Sequence, residues 1–334
     1  RIIYTNTIFT EDKIMANKII SSEYTNKKMY YANFNITFGN DSEPMLEHFF
    51  DIIYPAMTSG YIRESPNKTG MNFVLTDVKV KEIDDDIVLV GNYVKNMGYS
   101  VNTTMENGEL EEKDMYVPSS PYSRFIIFLQ NHRMVLIKNE SVSPDVRSFQ
   151  AHFRKMINNY IHISNLERKK EDNLPAANIN IVDMPFDEEI RNTLKHAKKI
   201  EWINFKFFPL NADISPLQFA NDVDQKIKEL EANSANLKIN SPRSIETIIK
   251  NVQDTSGLAV TSLRLKNSDG SVVRIKEGQF KSDTDIIFDG NINSKDDKYL
   301  ISQAKKNEKI TKTSSENLTL FEKAVDRLRK IIKV

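Results

Sequence analysis

The chain has 334 residues, of which 40% are hydrophobic, and its 46 basic side chains balance 46 acidic ones. This composition is typical of a folded protein, and the zero net charge excludes a surface that is basic throughout, so a nucleic-acid site has to be a local patch. Because the sequence contains no cysteine, disulfides, thiolate metal sites and cysteine nucleophiles are excluded, and a reducing cytoplasmic location is expected.

The first residues of the sequence lack the apolar segment of a secretory signal. No apolar run in the sequence approaches the roughly 18 residues that cross a bilayer, so direct membrane insertion is not expected. Met15 followed by Ala16 resembles a natural start, and residues 1–14 are therefore interpreted as an N-terminal extension.

Residues 15–165 form the first predicted domain, which is β-rich with helical inserts. The pattern of apolar residues predicts five strands there, namely Tyr30–Phe38, Met71–Ile83, Ile87–Met97, Arg124–Leu129 and Arg133–Lys138. Apolar stripes at helical spacing predict a helix over Met45–Met57 and a second helix that begins after Ser143 as N-cap. The acidic stretch Met105–Asp114 is interpreted as a loop.

Residues 166–177 are charged and contain a proline, which predicts a linker. Residues 178–334 then form a second predicted domain of mixed α/β character that ends in a helix. Its expected strands are Asn178–Asp183, Trp202–Phe208, Leu258–Lys266 and Val272–Phe280, and its expected helices are Pro185–Lys199, Pro216–Ala232, Pro242–Gln253 and Glu316–Ile332. The fold class predicted for the whole chain is α+β in two domains.

The hexapeptide RNTLKH, residues 191–196, raises the question of an RNA-cleaving site. It resembles the R-N-x-x-x-H motif of HEPN ribonucleases, in which Arg191 would stabilise the phosphorane and His196 would act as acid and base. Those ribonucleases are all-helical, whereas this helix is predicted between two strands, and a second match by spacing occurs at Arg147 and His152. The preferred interpretation is the solvated side of an amphipathic helix, and the ribonuclease remains the alternative.

Other catalytic motifs are missing from the sequence. The five histidines are scattered, the glycines never cluster as a phosphate loop requires, and no zinc-peptidase, serine-hydrolase or P-loop motif is present. Neighbouring carboxylates occur at Asp84–Asp86, at Asp283, Asp285 and Asp289, and at Asp296 and Asp297. Since turns and strand ends favour aspartate for conformational reasons, no metal, cofactor or catalytic residue is assigned.

The segment around NSDG is the most informative one. A three-residue turn over 268–270 would place Arg264 opposite Arg274, with Lys266 and Lys276 on the same face. The other face would be apolar, with Leu263, Leu265, Val273 and Ile275 directed into the core. Because like charges facing each other across a ladder destabilise it, four cations on one face favour contacts with backbone phosphates. The alternative is that carboxylates of the same chain neutralise them.

The C-terminal stretch supplies further basic residues. Lys305, Lys306, Lys309 and Lys312 occupy a segment that is expected to be a loop, and they are predicted to join the phosphate contacts. The last helix carries an apolar stripe of Leu318, Phe321, Val325, Leu328 and Ile332. This spacing is typical of a helix that docks on its own domain or pairs with a second copy, and both alternatives stay open.

Two segments are similar to the RexA family of phage-exclusion proteins. The first is PYSRFIIFLQNHRMVLIKNESVSPDVRSFQAHFRKMI, which resembles the strand-turn-strand-loop-helix stretch in the middle of that family. The second is VTSLRLKNSDGSVVRIKEGQFKSDTDIIFDG, which resembles the family's C-terminal hairpin. The order of the segments ahead of a Lys/Arg-rich terminal helix is also the same, whereas the acidic insert Asn107–Asp114 has no counterpart.

The resemblance implies a two-domain cytoplasmic protein that forms a homodimer and binds DNA without strong sequence preference. It also implies a membrane-protein partner encoded nearby and a role in abortive infection. Only the hairpin residues Arg264, Lys266, Arg274 and Lys276 are carried over, as phosphate contacts. The function predicted is thus that of a DNA-binding component of an anti-phage defence system. The alternatives are the HEPN-like ribonuclease and a protein-binding, phage-sensing subunit without nucleic-acid contact.

Overall fold

The computed structural model describes residues 24–66, 68, 70–106, 108–184, 186–195, 197–211, 217–255, 257–276, 280 and 282–333. Within these ranges the chain forms two antiparallel sheets with helices packed on them, which confirms the α+β class. The predicted extension over residues 1–14, the helix starts Pro185 and Pro216, and His196 lie outside the described residues.

The strands are β1 (Tyr24–Phe38), β2 (Glu43–Pro44), β3 (Ile62–Glu64), β4 (Asn72–Ile83), β5 (Asp86–Glu106), β6 (Glu109–Ser119), β7 (Tyr122–Phe128), β8 (Arg133–Lys138), β9 (Ala177–Asp183), β10 (Ala197–Phe207), β11 (Ala235–Asn240), β12 (Ala259–Asn267), β13 (Val272–Ile275) and β14 (Asp283–Asp289). The α-helices are α1 (Tyr54–Thr58), α2 (Val146–Leu166), α3 (Asp187–Lys195), α4 (Gln218–Glu229), α5 (Ile245–Asp254), α6 (Asp297–Ala304), α7 (Glu308–Thr311) and α8 (Ser315–Ile332). A 3-10 turn at Met45–His48 and a π-turn at Phe49–Ile53 precede α1, so the predicted helix over Met45–Met57 is helical in three segments.

The large sheet has the strand order β14-β1-β8-β7-β5-β4-β3, with β2 and β9 also paired to β1 and β6 paired to β5. Its central strands are buried on both faces. On β7, Phe125 and Ile127 pack into a cluster with α2 and α8, whereas Ile126 and Phe128 pack into a second cluster with α6. Because both faces are covered, residues 125–128 of this strand form a continuous apolar run without polar alternation.

Arg124 introduces a fully buried guanidinium into this apolar strand. Its Nε and Nη2 donate to the two carboxylate oxygens of Asp297 at 2.9 and 2.8 Å, and its Nη1 donates to Asp77 at 3.1 Å and to Asn92 at 3.0 Å. Lys81 donates to the same Asp297 carboxylate at 2.6 Å. The network therefore ties α6 to three strands of the large sheet.

The small sheet has the order β11-β10-β12-β13. Its inner face packs against α3, α4 and α5 through a third cluster that includes Ile203, Phe205 and Leu263. Polar and charged residues alternate with these apolar ones along β10 and β12 and form the outer face. One face is thus fixed by burial, and the register of each strand follows from it.

The two sheets do not divide the chain at the predicted linker. Strand β9 begins at the last residue of the predicted linker, Ala177, and β14 lies far beyond it, yet both pair with β1 of the large sheet. The terminal helix α8 also packs on the large sheet, where Ala324 and Leu328 are buried. The small sheet with α3–α5 is therefore inserted in the chain between β9 and β14 of the large sheet. The long strand β1 makes this possible, since it pairs with strands from distant parts of the chain.

The acidic stretch Met105–Asp114 is not the loop that was predicted. It contains the end of β5 and most of β6, which form a two-stranded ribbon with Glu106 opposite Glu109. Gly108 has φ of 87°, as a tight hairpin turn requires. The sequence signal was the dipeptide Asn107-Gly108. The ribbon exposes the apolar side chains Tyr99, Met105, Leu110, Met115, Tyr116 and Val117.

Smaller differences concern the ends of elements. The N-cap of α2 is Asp145, whose carboxylate accepts the Ser148 N–H at 2.8 Å, rather than Ser143. Helix α3 ends at Lys195, and β10 already begins at Ala197, so Lys198 and Lys199 lie on a strand. Among the described residues, no helix combines the length and apolarity needed to cross a membrane.

Candidate nucleic-acid interface

The predicted register of the β12–β13 hairpin is confirmed. The Asn267 N–H donates to the Ser271 carbonyl at 2.9 Å, and Gly270 adopts φ of 86° in the turn between them. Arg264 lies directly opposite Arg274. The turn is fixed locally because the Asp269 carboxylate accepts the Ser271 hydroxyl at 2.7 Å and its N–H at 2.9 Å, and these bonds lower the pKa of Asp269.

One detail of the predicted hairpin is wrong. Leu263, Leu265 and Ile275 are buried as expected, but Val273 is 40% exposed. Within the described residues β13 is the outermost strand of the small sheet, so it has a neighbouring strand on one side only. Lys276 follows the end of β13 and is exposed.

The outer face of the small sheet extends the row of cations beyond the hairpin. Pairing of β10 with β12 places Trp202 beside Arg264 and Lys199 beside Lys266. Pairing of β10 with β11 adds Lys206 and Lys238 at alternate positions. We call this surface the cationic face, and its residues are Lys199, Trp202, Lys206, Lys238, Arg264, Lys266 and Arg274.

Trp202 is the only tryptophan of the chain and lies among these cations. The Arg274 guanidinium carbon lies 5.5 Å from the centroid of its ring, and the Lys238 Nζ lies 5.3 Å from it. Both are within the range of cation–π attraction. The apolar pattern of the sequence predicts a strand that starts at Trp202, but it does not show that the Trp202 side chain shares a face with the hairpin arginines.

Among the described residues, carboxylates neutralise only part of the cationic face. Glu201, at a bulge next to Trp202, accepts the Arg264 Nε at 2.8 Å. In the described part of the chain, no carboxylate lies within ion-pair distance of Lys199, Lys266 or Arg274. Lys199 and Lys266 also face each other across the ladder, an arrangement that is unfavourable without an anion.

The second group of predicted contacts lies on the other sheet. The expected loop around Lys305–Lys312 contains the short helix α7, whose Ile310 is buried against the large sheet. The Asn131 amide donates to the Ile310 carbonyl at 2.7 Å and to the Lys312 carbonyl at 3.2 Å, which fixes this segment. The segment is folded because these main-chain groups and the Ile310 side chain are buried in contacts that the local sequence does not reveal.

The lysines of this segment differ in their surroundings. Lys305 pairs with Asp86 at 2.9 Å, and Lys306 donates to the Gln303 side chain at 2.7 Å. Lys306, Lys309 and Lys312 line a cavity of about 680 Å³ together with the acidic residues Glu188, Asp285 and Glu308. The local charge is therefore mixed, unlike that of the cationic face.

The residues of the ribonuclease alternative are only partly described. Arg191 lies on the exposed side of α3, as predicted, and donates to Glu246 of α5 at 3.0 Å. In the second match by spacing, His152 is completely buried beside the rings of Tyr61 and Tyr93. Burial, assisted by the charge of Arg63, lowers the pKa of His152 to about 4, so this imidazole is neutral at physiological pH and inaccessible to a substrate.

Several of the neighbouring carboxylates bind cations of the chain. Asp84 pairs with Lys298, Asp283 and Asp285 both pair with Lys28, and Asp297 holds Arg124. The hydrogen bonds that Lys28 donates to Asp285 and Asp283 raise its pKa. The described residues contain no group of three or more side chains suited to hold a metal ion.

Comparison with known proteins gave no relatives of the chain. No protein-family model, curated protein or solved structure matches it.

Proposed function

We propose that the chain binds nucleic acid through the cationic face, with little preference for sequence. The observation that supports this most strongly is the row formed by Trp202, Arg264 and Arg274 across three strands, with the Lys238 Nζ of β11 also 5.3 Å from the centroid of the Trp202 ring. Lysine and arginine side chains neutralise backbone phosphates, while indole and guanidinium planes stack on bases of any identity. An exposed sheet face with both groups is suited to such binding.

Trp202 favours single-stranded over duplex nucleic acid as the preferred ligand. Bases inside a duplex are stacked on each other, so an indole on a flat sheet reaches them only when the strand is unpaired. Stacking on one aromatic side chain contributes about 1–3 kcal/mol per base. The phosphate contacts of Arg264, Lys266 and Arg274 are common to both ligands, so a duplex is expected to bind more weakly, and its affinity should also fall as the salt concentration rises.

The fluorescence of Trp202 provides the test, because no other tryptophan contributes to the signal. Titration with short single-stranded and duplex oligonucleotides should quench it. Affinity should fall by orders of magnitude between about 50 and 200 mM salt if six or more phosphates are neutralised. Arg264→Glu combined with Arg274→Glu should weaken binding and reduce the slope of log affinity against log salt by about 0.7 to 0.9 for each lost contact.

A matched control is Lys330→Glu combined with Lys323→Glu, two exposed positions on α8 that change the net charge by the same amount. Anisotropy of a labelled oligonucleotide supplies a second readout that also works for Trp202→Ala. Equal affinities of the hairpin and control variants, or an affinity that does not respond to salt, would overturn the proposal. The protein-binding alternative would then be favoured, with the exposed apolar side chains of the β5–β6 ribbon as its surface.

The resemblance to the RexA family supports the same proposal for the biological setting. We propose on that basis a cytoplasmic, homodimeric DNA-binding component of phage exclusion, with a membrane protein as partner. The hairpin reversal that removes binding should then also remove exclusion of phage in cells, while the α8 control should retain it. Exclusion that persists in the hairpin variant would separate the defence role from nucleic-acid binding.

A further inference from the structure

A cavity of about 650 Å³ lies at the end of the cationic face, between the first residues of β10, the β11–α5 connection and β12. Four of the side chains that line it are basic, namely Lys198, Lys199, Arg243 and Lys266. Among the described residues that line it, there is no aspartate or glutamate. Its volume is in the range of sites for small ligands of nucleotide size.

Two irregularities of the backbone bring these cations together. A bulge at Lys198 interrupts the alternation of β10, so that Lys198 and Lys199 both line the cavity although they are adjacent in sequence. Ser241 adopts φ of 49°, and its N–H donates to the Glu201 carbonyl at 2.7 Å. This sharp turn directs the connection back against β10 and places Arg243 opposite the lysines.

The acidic residues closest in sequence to the lining already bind other cations. Glu201 accepts from Arg264 at 2.8 Å, and Glu246 accepts from Arg191 at 3.0 Å. Within the described ranges, none of the four lining cations has a carboxylate at ion-pair distance. Four like charges around one cavity repel each other, and a multivalent anion would relieve this repulsion.

We propose that this cavity binds the terminal phosphate of a nucleic-acid strand that crosses the cationic face. The inference rests on the proposed function, since Lys266 belongs both to the cavity and to that face and lies two residues from Arg264 along β12. A terminal phosphate carries more charge than an internal phosphodiester and presents three free oxygens. It can therefore accept from Lys198, Lys199 and Arg243 together, and the positive end of α5 adds to the attraction.

The test compares one oligonucleotide sequence with a 5′-phosphate, a 3′-phosphate or hydroxyl groups at both ends. One of the phosphorylated forms should bind about tenfold or more tightly than the hydroxyl form, as two or more charge-assisted hydrogen bonds provide. Arg243→Ala and Lys198→Ala should remove this preference and leave the affinity for the hydroxyl form unchanged. Arg274→Ala should weaken all three forms by the same factor.

Lys250→Ala, on the exposed side of α5, is the matched control and should change neither quantity. Circular dichroism of each variant confirms that it is folded. Equal binding of all three oligonucleotides with quenching of Trp202 would overturn the end-binding inference and leave the proposed function intact. Binding of inorganic tripolyphosphate through Arg243 without binding of any oligonucleotide would overturn both and assign the cavity to free polyphosphates.

Discussion

The buried network around Arg124 leads to a quantitative prediction about stability. Asp297→Ala removes both bonds from the carboxylate to the Arg124 guanidinium, at 2.9 and 2.8 Å, and the bond from Lys81 at 2.6 Å. The side chain of Arg124 has no exposed surface, whereas the side chain of Lys81 is 26% exposed. Water can therefore replace the lost partner of Lys81, but it cannot reach the guanidinium.

The expected loss of stability in Asp297→Ala depends on the hydrogen bonds that Arg124 retains. Its Nη1 still donates to Asp77 and Asn92, so the charge is not left without partners. Burial acts to raise the pKa of Asp77, but hydrogen bonds from Lys79 and Arg124 outweigh it and lower the pKa, so this carboxylate stays ionised beside the guanidinium. The loss of one partner of a buried ion pair usually costs 3–5 kcal/mol, and with Asp77 present we expect about 3 kcal/mol.

Urea unfolding followed by circular dichroism measures this change. The control is Glu82→Ala, which removes an ion pair of comparable geometry with Arg329, at 2.8 Å, on the surface. Both partners of that pair are solvated, so its removal should leave the unfolding midpoint nearly unchanged. If Asp297→Ala shifts the midpoint no more than Glu82→Ala does, the argument that the buried pair holds α6 on the large sheet is refuted.

Two further predictions concern the core of the large sheet. The pKa of His152 is about 4 in the folded chain and 6.5 in a solvated imidazole, so unfolding takes up a proton between these pH values. The free energy of unfolding should therefore fall by about 3 kcal/mol as the pH decreases from 6.5 to 4. Urea unfolding at several pH values should show a flatter pH dependence for His152→Leu, and an unchanged dependence would contradict the buried, neutral state of His152. A Cβ at Gly91 would lie 2.5 Å from the Phe125 ring and 3.2 Å from the Thr76 carbonyl oxygen. Thermal or urea unfolding of Gly91→Ala should therefore show a loss of stability of about 1–3 kcal/mol. A variant as stable as the parent would show that the Phe125 ring can move aside.

The elements that sequence reasoning predicted correctly are those with local signals. The β12–β13 register depends on a turn of three residues, in which Asp269 and Gly270 have the chemistry that the turn requires. The strands β7 and β8 are marked by apolar runs, and α2 by its apolar stripe. In each of these cases the deciding contacts are made within a short stretch of the chain.

The predicted boundary at residues 166–177 does not separate the two sheets, because strand pairing depends on contacts between distant residues. Strand β1 pairs with β14 through Tyr24–Tyr30 and with β9 through Ala32–Phe38, on the same side. The charged segment at 166–177 connects α2 to β9, and β9 then pairs with β1 of the large sheet, to which the preceding strands also belong. A local change of composition indicates a loop and does not tell whether the next strand joins a new sheet or an old one.

The sequence predicts the local part of the candidate site but not the part that depends on pairing between distant strands. The facing of Arg264 and Arg274 is local to one hairpin, whereas the position of Trp202 depends on the pairing of β10 with β12 and on bulges at Lys198 and Glu201. Each bulge inserts one residue and changes which side chains reach the outer face. Alternation counted along β10 therefore does not give the face of Trp202 relative to the hairpin.

The sequence predicts phosphate contacts for two groups of basic residues, the hairpin cations and the lysines of the Lys305–Lys312 segment. The ion pairs of the folded chain distinguish these two groups. Around the large sheet, the carboxylates of turns and strand ends bind Lys28, Lys298 and Lys305, and these pairs hold adjacent segments together. On the outer face of the small sheet, Glu201 binds Arg264, while Lys199 and Lys266 oppose each other across the ladder. Like charges in that arrangement lower the stability of the sheet, whereas a bound polyanion converts the same repulsion into affinity. For this reason the hairpin cations are stronger candidates for phosphate contacts than Lys305, which already forms an ion pair with Asp86.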